Sequence, residues 1–455
     1  MSATPAETAL DTLPVNGAIP RFHPPRVAQL GTASGLPLWH VQRGRLPLFS
    51  LRLVLDGGAA GDPAGQEGLV ALSDGQLTRG AGPHDAIAVA ELLDRAALRL
   101  SVATSARATT IALEGHADRL DLGLELLAEA LNRPRFDAAE LERARALRLG
   151  DLVQDLDDPD ELARNATWRA LFGEGHPLAH PPAGTRAGVA AATHEGARGS
   201  WERRRRAGAA MAVFCGALDA ERAAAKLDAH LGDWRGAGAA RTALPEALTQ
   251  SRRLIFIDKP GSTQSVLSLL APAPGARDGA LHASRIAAIS LGGTFTSRLN
   301  QKLREEKGYT YGVSCQLQPA PEQSVVAIRT SVQGEATAPA LADLMAELDR
   351  LDEGMSADEI ARAALARRTQ LVSALETSSN LAGSYASLWE CGRDPSGFQD
   401  ELEVMGALTP EDVREGARRL ELGRAAMVVV GDLARVRASV EGVLPGAWEL
   451  WPAAT

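Results

Sequence analysis

The sequence predicts an α+β fold made of two homologous copies of one domain. Runs with the two-residue period of strands and runs with the helical period follow each other in the same order in each half of the chain. Residues 51–55 align with residues 266–270 at an offset of 215, and the strand that ends at Gly216 aligns at the same offset with one that ends at Gly431. This repeat predicts a mostly antiparallel sheet packed against long helices in each half.

The elements of the first copy can be assigned in chain order. Strands are predicted at 37–41 and 48–55, helices at 65–80 and 86–98, strands at 100–104 and 109–114, helices at 118–131, 137–155 and 159–172, and a closing strand at 210–216. Asp137 and Glu140 have the spacing of a capping box at the start of one of these helices. The segment that begins at Glu140 also matches the segment that begins at Glu359, which extends the repeat.

Domain boundaries follow from this repeat. We predict an N-terminal arm over 1–25, a first domain over 26–234, a linker over 235–250 and a second domain over 251–455. The arm is rich in proline and alanine, and the linker is rich in glycine, alanine and threonine. A chain of 455 residues is long enough for two domains of this size.

Composition and charge disfavour several classes of function. The net charge of −9 argues against a role on nucleic acid or on an anionic membrane. The basic run from Arg203 to Arg206 is typical of a solvated helix end. The three cysteines are far apart and predict neither a metal site nor a disulfide framework. We find no signal-peptide core and no apolar stretch of membrane-spanning length, so we expect a cytoplasmic protein, with a periplasmic location as the alternative.

The stretch from 291 to 313 has the most distinctive pattern in the chain. It opens with two glycines, followed by threonine and serine residues that can cap a helix. Phe295, Leu299 and Leu303 recur at helical spacing, which predicts that all three lie on one apolar helix face.

The end of the same stretch predicts a stop followed by a strand. Gly308 is a C-terminal helix signal, and the residues after it have strand character. Tyr309 and Tyr311 are expected on the same face of that strand. They are two of only three tyrosines in the chain, a concentration that packing alone does not explain.

Within this stretch, residues 297–299 (Ser-Arg-Leu), 303–305 (Leu-Arg-Glu) and 308–312 (Gly-Tyr-Thr-Tyr-Gly) resemble the second-half motif of the pitrilysin/insulinase zinc metallopeptidases. In that family, an Arg and a Tyr seven residues later help to grip the substrate beside a zinc held by the other half-molecule. The matching positions here are Arg304 and Tyr311. The family is built from the same duplicated α+β domain, so the resemblance covers nearly the whole chain.

The zinc motif that the resemblance implies for the first half is missing. The family holds zinc with His-x-x-Glu-His on the helix after the second strand, where the Glu is the general base. Matching the Gly-Leu pair of that helix places Ala71 and Gly75 at the histidine positions and Asp74 at the general-base position. The distal ligand would fall at 151–152, where there is no Glu. A methyl group and a hydrogen cannot coordinate zinc, so we expect no metal in this chain.

One pair of histidines leaves an alternative open. His176 and His180 have the spacing i, i+4, but prolines beside them predict a polar loop rather than a helix. We expect the loop, with a rebuilt zinc site on these residues as the alternative.

By resemblance, we expect the non-catalytic subunit of a heterodimeric zinc metallopeptidase, inactive alone and without a cofactor of its own. A homologous catalytic subunit would supply zinc and close with this chain around an unfolded peptide, as a heterodimer or a dimer of heterodimers. Arg304 would hold the substrate and Tyr311 would stabilise the oxyanion. The alternative is a retired peptidase homologue that serves as a scaffold or as a peptide-binding subunit.

Overall fold

The computed structural model describes residues 17, 20–44, 46–207, 209–232, 241–247, 249 and 251–453. Residues 1–16, 18 and 19 of the predicted arm, and residues 235–240, 248 and 250 of the predicted linker, lie outside this described part. Within the described part, strands and helices form two six-stranded sheets, a two-stranded ribbon and the helices around them. Every helix described is too short or too polar to cross a membrane.

Strands and helices alternate in blocks along the chain. The strands are β1 Ala28–Gly31, β2 Pro37–Gln42, β3 Leu48–Asp56, β4 Gly80–Ala81, β5 His84–Asp85, β6 Arg99–Thr104, β7 Ala108–His116, β8 Ala210–Gly216, β9 Arg253–Asp258, β10 Gln264–Pro274, β11 Thr310–Gln318, β12 Gln323–Gln333, β13 Ala426–Gly431 and β14 Trp448–Trp451. The helices are α1 Leu69–Gly75, α2 Ala86–Arg95, α3 Leu120–Asn132, α4 Ala138–Asp155, α5 Pro159–Phe172, α6 Arg186–Ala191, α7 His194–Ala207, α8 Ala220–Leu231, α9 Leu281–Ala288, α10 Thr337–Asp349, α11 Ala357–Ala374, α12 Ser378–Glu390, α13 Gly397–Ala407, α14 Pro410–Arg418 and α15 Leu433–Val443.

The first sheet comes from the first half of the chain. Its strand order is β1-β2-β8-β3-β7-β6. β3 is antiparallel to both of its neighbours, with Leu53 opposite Ala212 of β8 and Ile111 of β7, whereas β8 is parallel to β2. β8 is buried at every position, because it is a central strand covered on both faces, and its sequence is accordingly a continuous apolar run.

The second sheet repeats this topology. Its strand order is β14-β9-β13-β10-β12-β11. β9 is parallel to β13 as β2 is to β8, and β10 lies antiparallel between β13 and β12 as β3 lies between β8 and β7. The outermost strands differ, because β1 is antiparallel to β2 whereas β14 is parallel to β9. The predicted α+β class and the repeated order of elements are therefore confirmed.

Two helices pack on the sheet of the opposite half. α5 of the first half forms a core with β9, β10 and β13, in which Leu162 and Ala166 lie among the apolar side chains of the second sheet. α12 of the second half covers β3 and β8, and its Tyr385 meets the Trp39 ring edge-on with the ring centroids 6.4 Å apart. The starts of α5 and α12, Pro159 and Ser378, are separated by the same 219 residues as Glu140 and Glu359, so the exchange of helices is reciprocal.

Local sequence signals located most elements but misplaced one cap. The predicted bounds of α4, α5 and β8 agree with the structure to within one residue. The capping box predicted at Asp137 is wrong, because its carboxylate accepts a hydrogen bond from Arg135 Nε at 2.8 Å rather than from the helix backbone. A capping box does form at the equivalent helix of the second half, between Ser356 and Glu359 at the start of α11.

Candidate functional site

The segment that carries Arg304 and Tyr311 lies between α9 and β11. α9 continues into a π-helical turn at Ile289–Gly293, and a second π-helical turn covers Asn300–Glu306. Wide turns of this type occur frequently at functional sites. Gly308 has φ of 65°, a left-handed conformation that ends the second turn and directs the chain into β11, as predicted.

Two of the three predicted apolar positions anchor the segment. Leu299 and Leu303 are fully buried in the core. Gly292 lies against β11 so closely that an added Cβ would stand 2.7 Å from the Cβ of Cys315. Phe295 is 70% exposed, so its predicted place on the buried face is wrong. It precedes the helical turn, lies in the loop and does not follow the helical phase of the two leucines.

The side chain of Asn300 ties the second turn to β11, a role that the sequence did not reveal. Its Nδ2 donates to the carbonyl oxygens of Thr294 at 3.0 Å and Val313 at 2.8 Å, and its Oδ1 accepts from the Val313 N–H at 2.9 Å. Asn300 is 5% exposed, and these bonds satisfy a buried amide. An isolated Asn in a helical pattern ordinarily indicates an exposed polar face, so only the fold identifies this contact.

Arg298 ties the same segment to α11. Its Nε and Nη2 donate to the two carboxylate oxygens of Glu359 at 2.5 and 3.1 Å. Glu359 also accepts from the backbone N–H of Ser356 at 2.8 Å. The hydrogen bond from Arg298 is the main reason that the pKa of Glu359 falls from 4.5 to about 2, although burial opposes the shift.

The two tyrosines do not share a sheet face, contrary to the prediction. The pairing of β11 with β12 shifts register between Thr310 and Val313, which breaks the alternation of faces. Tyr309 packs against the core, whereas Tyr311 is 93% exposed. Within the described residues, the Tyr311 hydroxyl has no hydrogen-bond partner.

The side chain of Arg304 lies against the exposed Phe295. The Arg304 guanidinium lies over the Phe295 ring, 4.3 Å from its centroid, at a distance typical of a cation–π contact. Arg304 Nη1 also pairs with Glu305 Oε1 at 3.0 Å, and its side chain stays partly exposed. Arg304 thus retains donors that face solvent.

A groove of about 840 Å³ runs along β11 and reaches Tyr311 and Phe295. β11 is the outermost strand of its sheet, so within the described residues its outer edge pairs with no other strand. Such an edge offers backbone N–H and C=O groups to an added strand.

A buried charge cluster forms part of the groove wall. Arg285 Nη1 donates to Glu401 Oε1 at 2.5 Å, and Arg367 Nε donates to the same oxygen at 2.7 Å. Burial alone would raise the pKa of Glu401, but the charges of Arg285 and Arg367 lower it to about 2. Two guanidinium groups thus share one carboxylate.

The two positions that correspond to the zinc-binding histidines lie on α1, and their side chains provide no metal-binding atoms. Ala71 is half-buried, and Gly75 is exposed with open space around the position of a Cβ. Asp151, at the position expected for a distal ligand, is exposed and lies 3.7 Å from Arg148. These residues do not fit a zinc ion.

Asp74 faces the interior and not the exposed side of α1. It is 1% exposed, and its Oδ2 accepts from Thr104 Oγ1 at 2.7 Å and from Thr109 Oγ1 at 2.6 Å. Its Oδ1 accepts from Nη2 of Arg204. With both oxygens engaged, the carboxylate at the general-base position serves as a structural anion.

The partner of Asp74 corrects the interpretation of the basic run. Arg204 belongs to the last turn of α7, but its side chain is only 12% exposed. Arg205 donates to the side chain of Asn132 at 2.9 Å. Arg204 and Arg205 are therefore bound to the first half and do not form a freely solvated helix end.

His176 and His180 lie in a loop, as expected. His176 Nε2 is 3.0 Å from the carbonyl oxygen of Pro245, and His180 Nε2 is 3.0 Å from that of Glu174. In the part of the chain that the structure describes, no group of three or more His, Cys, Asp or Glu side chains could hold a metal ion.

The fold and these two sites define a class of protein: a duplicated peptidase-type chain whose described residues offer no zinc site and which presents an exposed Tyr311 and a partly exposed Arg304. The family described as "Peptidase M16 inactive domain" matches residues 197–366. This match agrees with the resemblance to zinc metallopeptidases in the second half of the chain, and the description of the matched family supports a relationship to catalytically inactive peptidase homologues.

The chain has low sequence identity to individual relatives but a closely similar fold to solved structures. "Non-peptidase homolog YmxG" of Helicobacter pylori is 26% identical over 282 residues, which are 61% of this chain and 64% of that protein, so just under two thirds of that relative is covered. "Uncharacterized zinc protease Rv2782c" of Mycobacterium tuberculosis is 25% identical over 356 residues, 76% of this chain and 80% of that protein. The solved peptidase M16 inactive domain from Pseudomonas fluorescens has a TM-score of 0.80 at 22% identity, covering 89% of this chain and 98% of that one. At this identity the solved structure shows a shared fold alone.

Proposed function

We propose that this chain is the non-catalytic subunit of a heterodimeric zinc metallopeptidase. A homologous subunit with an intact His-x-x-Glu-His motif would supply the zinc site, and Arg304 and Tyr311 would act on a peptide bound between the two chains. The observation that carries the proposal is the exposure of Tyr311. A phenol that is 93% exposed, has no partner within the described residues and lines a groove is available to a ligand.

The residue types suit peptide hydrolysis in trans. The Tyr311 hydroxyl can donate a hydrogen bond to the oxyanion that forms when a peptide carbonyl is attacked. Arg304 is always charged and can hold a substrate carbonyl or the same developing charge with the donors that face solvent. An extended peptide added to the free edge of β11 would run past Tyr311 and past Phe295, which Arg304 covers.

The test compares the chain alone with the chain mixed with its catalytic partner. We expect no hydrolysis alone and hydrolysis of an unfolded peptide in the mixture. Tyr311→Phe and Arg304→Ala should each lower turnover by roughly 100- to 1000-fold while the subunits still assemble. Tyr309→Phe and Lys302→Ala are matched controls, because Tyr309 packs against the core and Lys302 pairs with Glu306 on the same turn. Unchanged turnover in both test variants would refute the assigned roles.

A scaffold role is the second candidate, and the exposed patch of Phe295, Arg304 and Tyr311 favours it. Aromatic residues and arginine are enriched at the centres of protein–protein interfaces. If the patch only docks a partner, Phe295→Ala and Tyr311→Ala would weaken assembly, and Tyr311→Phe would leave turnover unchanged. Analytical ultracentrifugation of the mixture, beside the turnover assay, separates the two functions.

A further inference from the structure

The groove along β11 is positively charged in a chain whose net charge is −9. Its lining includes three arginines, Arg285, Arg329 and Arg367, and a single acidic residue, Asp160. Arg285 and Arg367 share one carboxylate, that of Glu401. The charge of the groove is therefore a local feature and does not follow from the overall composition.

Arg329 differs from the other two arginines because none of the described residues forms an ion pair with it. Among the described residues, no carboxylate lies within 4.0 Å of its guanidinium, and its buried Nε has no hydrogen-bond partner. Glu161, an acidic neighbour on α5, is already paired with Arg164. Burial lowers the pKa of Arg329 and Arg164 lowers it further, while Glu161 and Asp160 oppose the shift without forming an ion pair with it, so an added anion would stabilise its charged form.

The geometry of β11 and β12 places Arg329 where a peptide side chain can reach it. Arg329 on β12 is the paired neighbour of Ser314 on β11, so the two residues share a sheet face. Val313 and Cys315 are buried on the opposite face, whereas Ser314 is exposed. Every second side chain of a strand added to β11 would point to the face of Ser314 and Arg329.

We propose that the groove selects extended peptides with an acidic side chain, whose carboxylate pairs with Arg329. The proposal rests on the proposed peptide-binding function and adds the class of peptide. A guanidinium and a carboxylate can form two parallel charged hydrogen bonds, which are about twice as strong as neutral ones. The pair would also supply a partner for the unsatisfied side of Arg329.

Peptide binding to the complete chain, without a catalytic partner, tests this proposal. The probe is a short, fluorescently labelled peptide with a blocked C-terminus and one Glu as its sole charged residue, compared with the same peptide carrying Gln. Fluorescence anisotropy should show about tenfold tighter binding of the Glu peptide. Arg329→Gln should abolish this preference, and Arg329→Lys should keep part of it because the positive charge remains.

A charge-matched control separates a local contact from a change in net charge. Arg95 lies on α2 and pairs with Glu91, and its side chain is 73% exposed. Arg95→Gln removes the same charge as Arg329→Gln and should retain the full preference for the Glu peptide. The preference should also shrink at high salt, because charge attraction at an open groove is screened.

The proposal would be overturned by equal affinity of the wild-type chain for both peptides, by equal weakening of both by Arg329→Gln, or by no binding of either. A Gln peptide with a free C-terminus that binds as tightly as the Glu peptide would also overturn it, in favour of recognition of a chain end. Equal affinities would leave the roles of Arg304 and Tyr311 intact, because those are tested by turnover. Unchanged turnover in the Tyr311 and Arg304 variants would in turn leave the peptide preference standing.

Discussion

Asp74→Asn is expected to destabilise the first half of the chain, although it removes only a charge. The substitution keeps the shape of the side chain, but Arg204 then loses its anion while only 12% exposed. Breaking a buried ion pair by removing one partner costs about 3 to 5 kcal/mol. Because Arg204 keeps a hydrogen bond to Thr109 Oγ1 at 2.9 Å, we expect a loss near the lower limit, about 3 kcal/mol.

Arg204 is the cationic partner in this buried ion pair. Replacing both charged partners with uncharged side chains is often nearly neutral, because the desolvation cost of both charges disappears. Arg204→Met should therefore restore part of the stability lost in Asp74→Asn. In a double-mutant cycle, the combined cost should be smaller than the sum of the single costs by about 2 kcal/mol.

Urea unfolding followed by circular dichroism, with amide hydrogen exchange of α1 and α7 as the local probe, measures these effects. Asp121→Asn is the matched control, because Asp121 forms an exposed ion pair with Lys226 at 2.5 Å and should cost less than about 1 kcal/mol. Equal losses for Asp74→Asn and Asp121→Asn would refute the structural role. The structural role would also be refuted if the Asp74→Asn chain had normal stability but failed to support hydrolysis in the heterodimer.

Three further predictions concern other buried or half-buried polar groups. Glu359→Gln should make the free energy of unfolding depend less on pH in acid. The depressed pKa of Glu359 stabilises the fold above pH 4.5, and this contribution is lost as the pH falls toward about 2. Asn300→Ala should accelerate amide exchange at Val313 and lower turnover of the heterodimer, because it removes the bonds that tie the Arg304 turn to β11. Gln76→Met should raise stability by about 1 kcal/mol, since Gln76 is 1% exposed and neither polar atom of its amide has a partner within the described residues.

Each of these predictions has an observation that would contradict it. The first fails if Glu359→Gln and the wild type lose stability in parallel between pH 5 and pH 2, measured by urea unfolding. The second fails if exchange at Val313 is no faster than in Asn380→Ala, an exposed site at the start of α12. The third fails if the melting temperature of Gln76→Met rises no more than that of Gln154→Met, which alters an exposed position on α4.

Local and repeated patterns made much of the fold predictable. The apolar run of β8 and the helical periods of α4 and α5 are properties of short segments, so their bounds were predicted to within one residue. The order of elements was predictable because the chain contains it twice. The position of Tyr311 near the end of a turn followed in the same way from Gly308 and the strand after it.

Contacts between distant residues were not predictable from those patterns. Asp74 and Arg204 are 130 residues apart, and no local signal pairs them. The groove combines Asp160 of α5 with Arg329 of β12, which belong to different halves of the chain. Tyr309 precedes β11 and Tyr311 lies within the register shift between Thr310 and Val313, so the regular alternation of faces that would place the two tyrosines together does not apply.

The exchange of α5 and α12 has a mechanical consequence. A helix from each half covers the sheet of the other half. Separating the halves would therefore expose apolar side chains of two hydrophobic cores at once. The two halves should therefore move together as one rigid body. An opening that admits a peptide must then form between separate subunits. Cutting the gene between the halves should yield two fragments that each expose an uncovered sheet and associate to hide it.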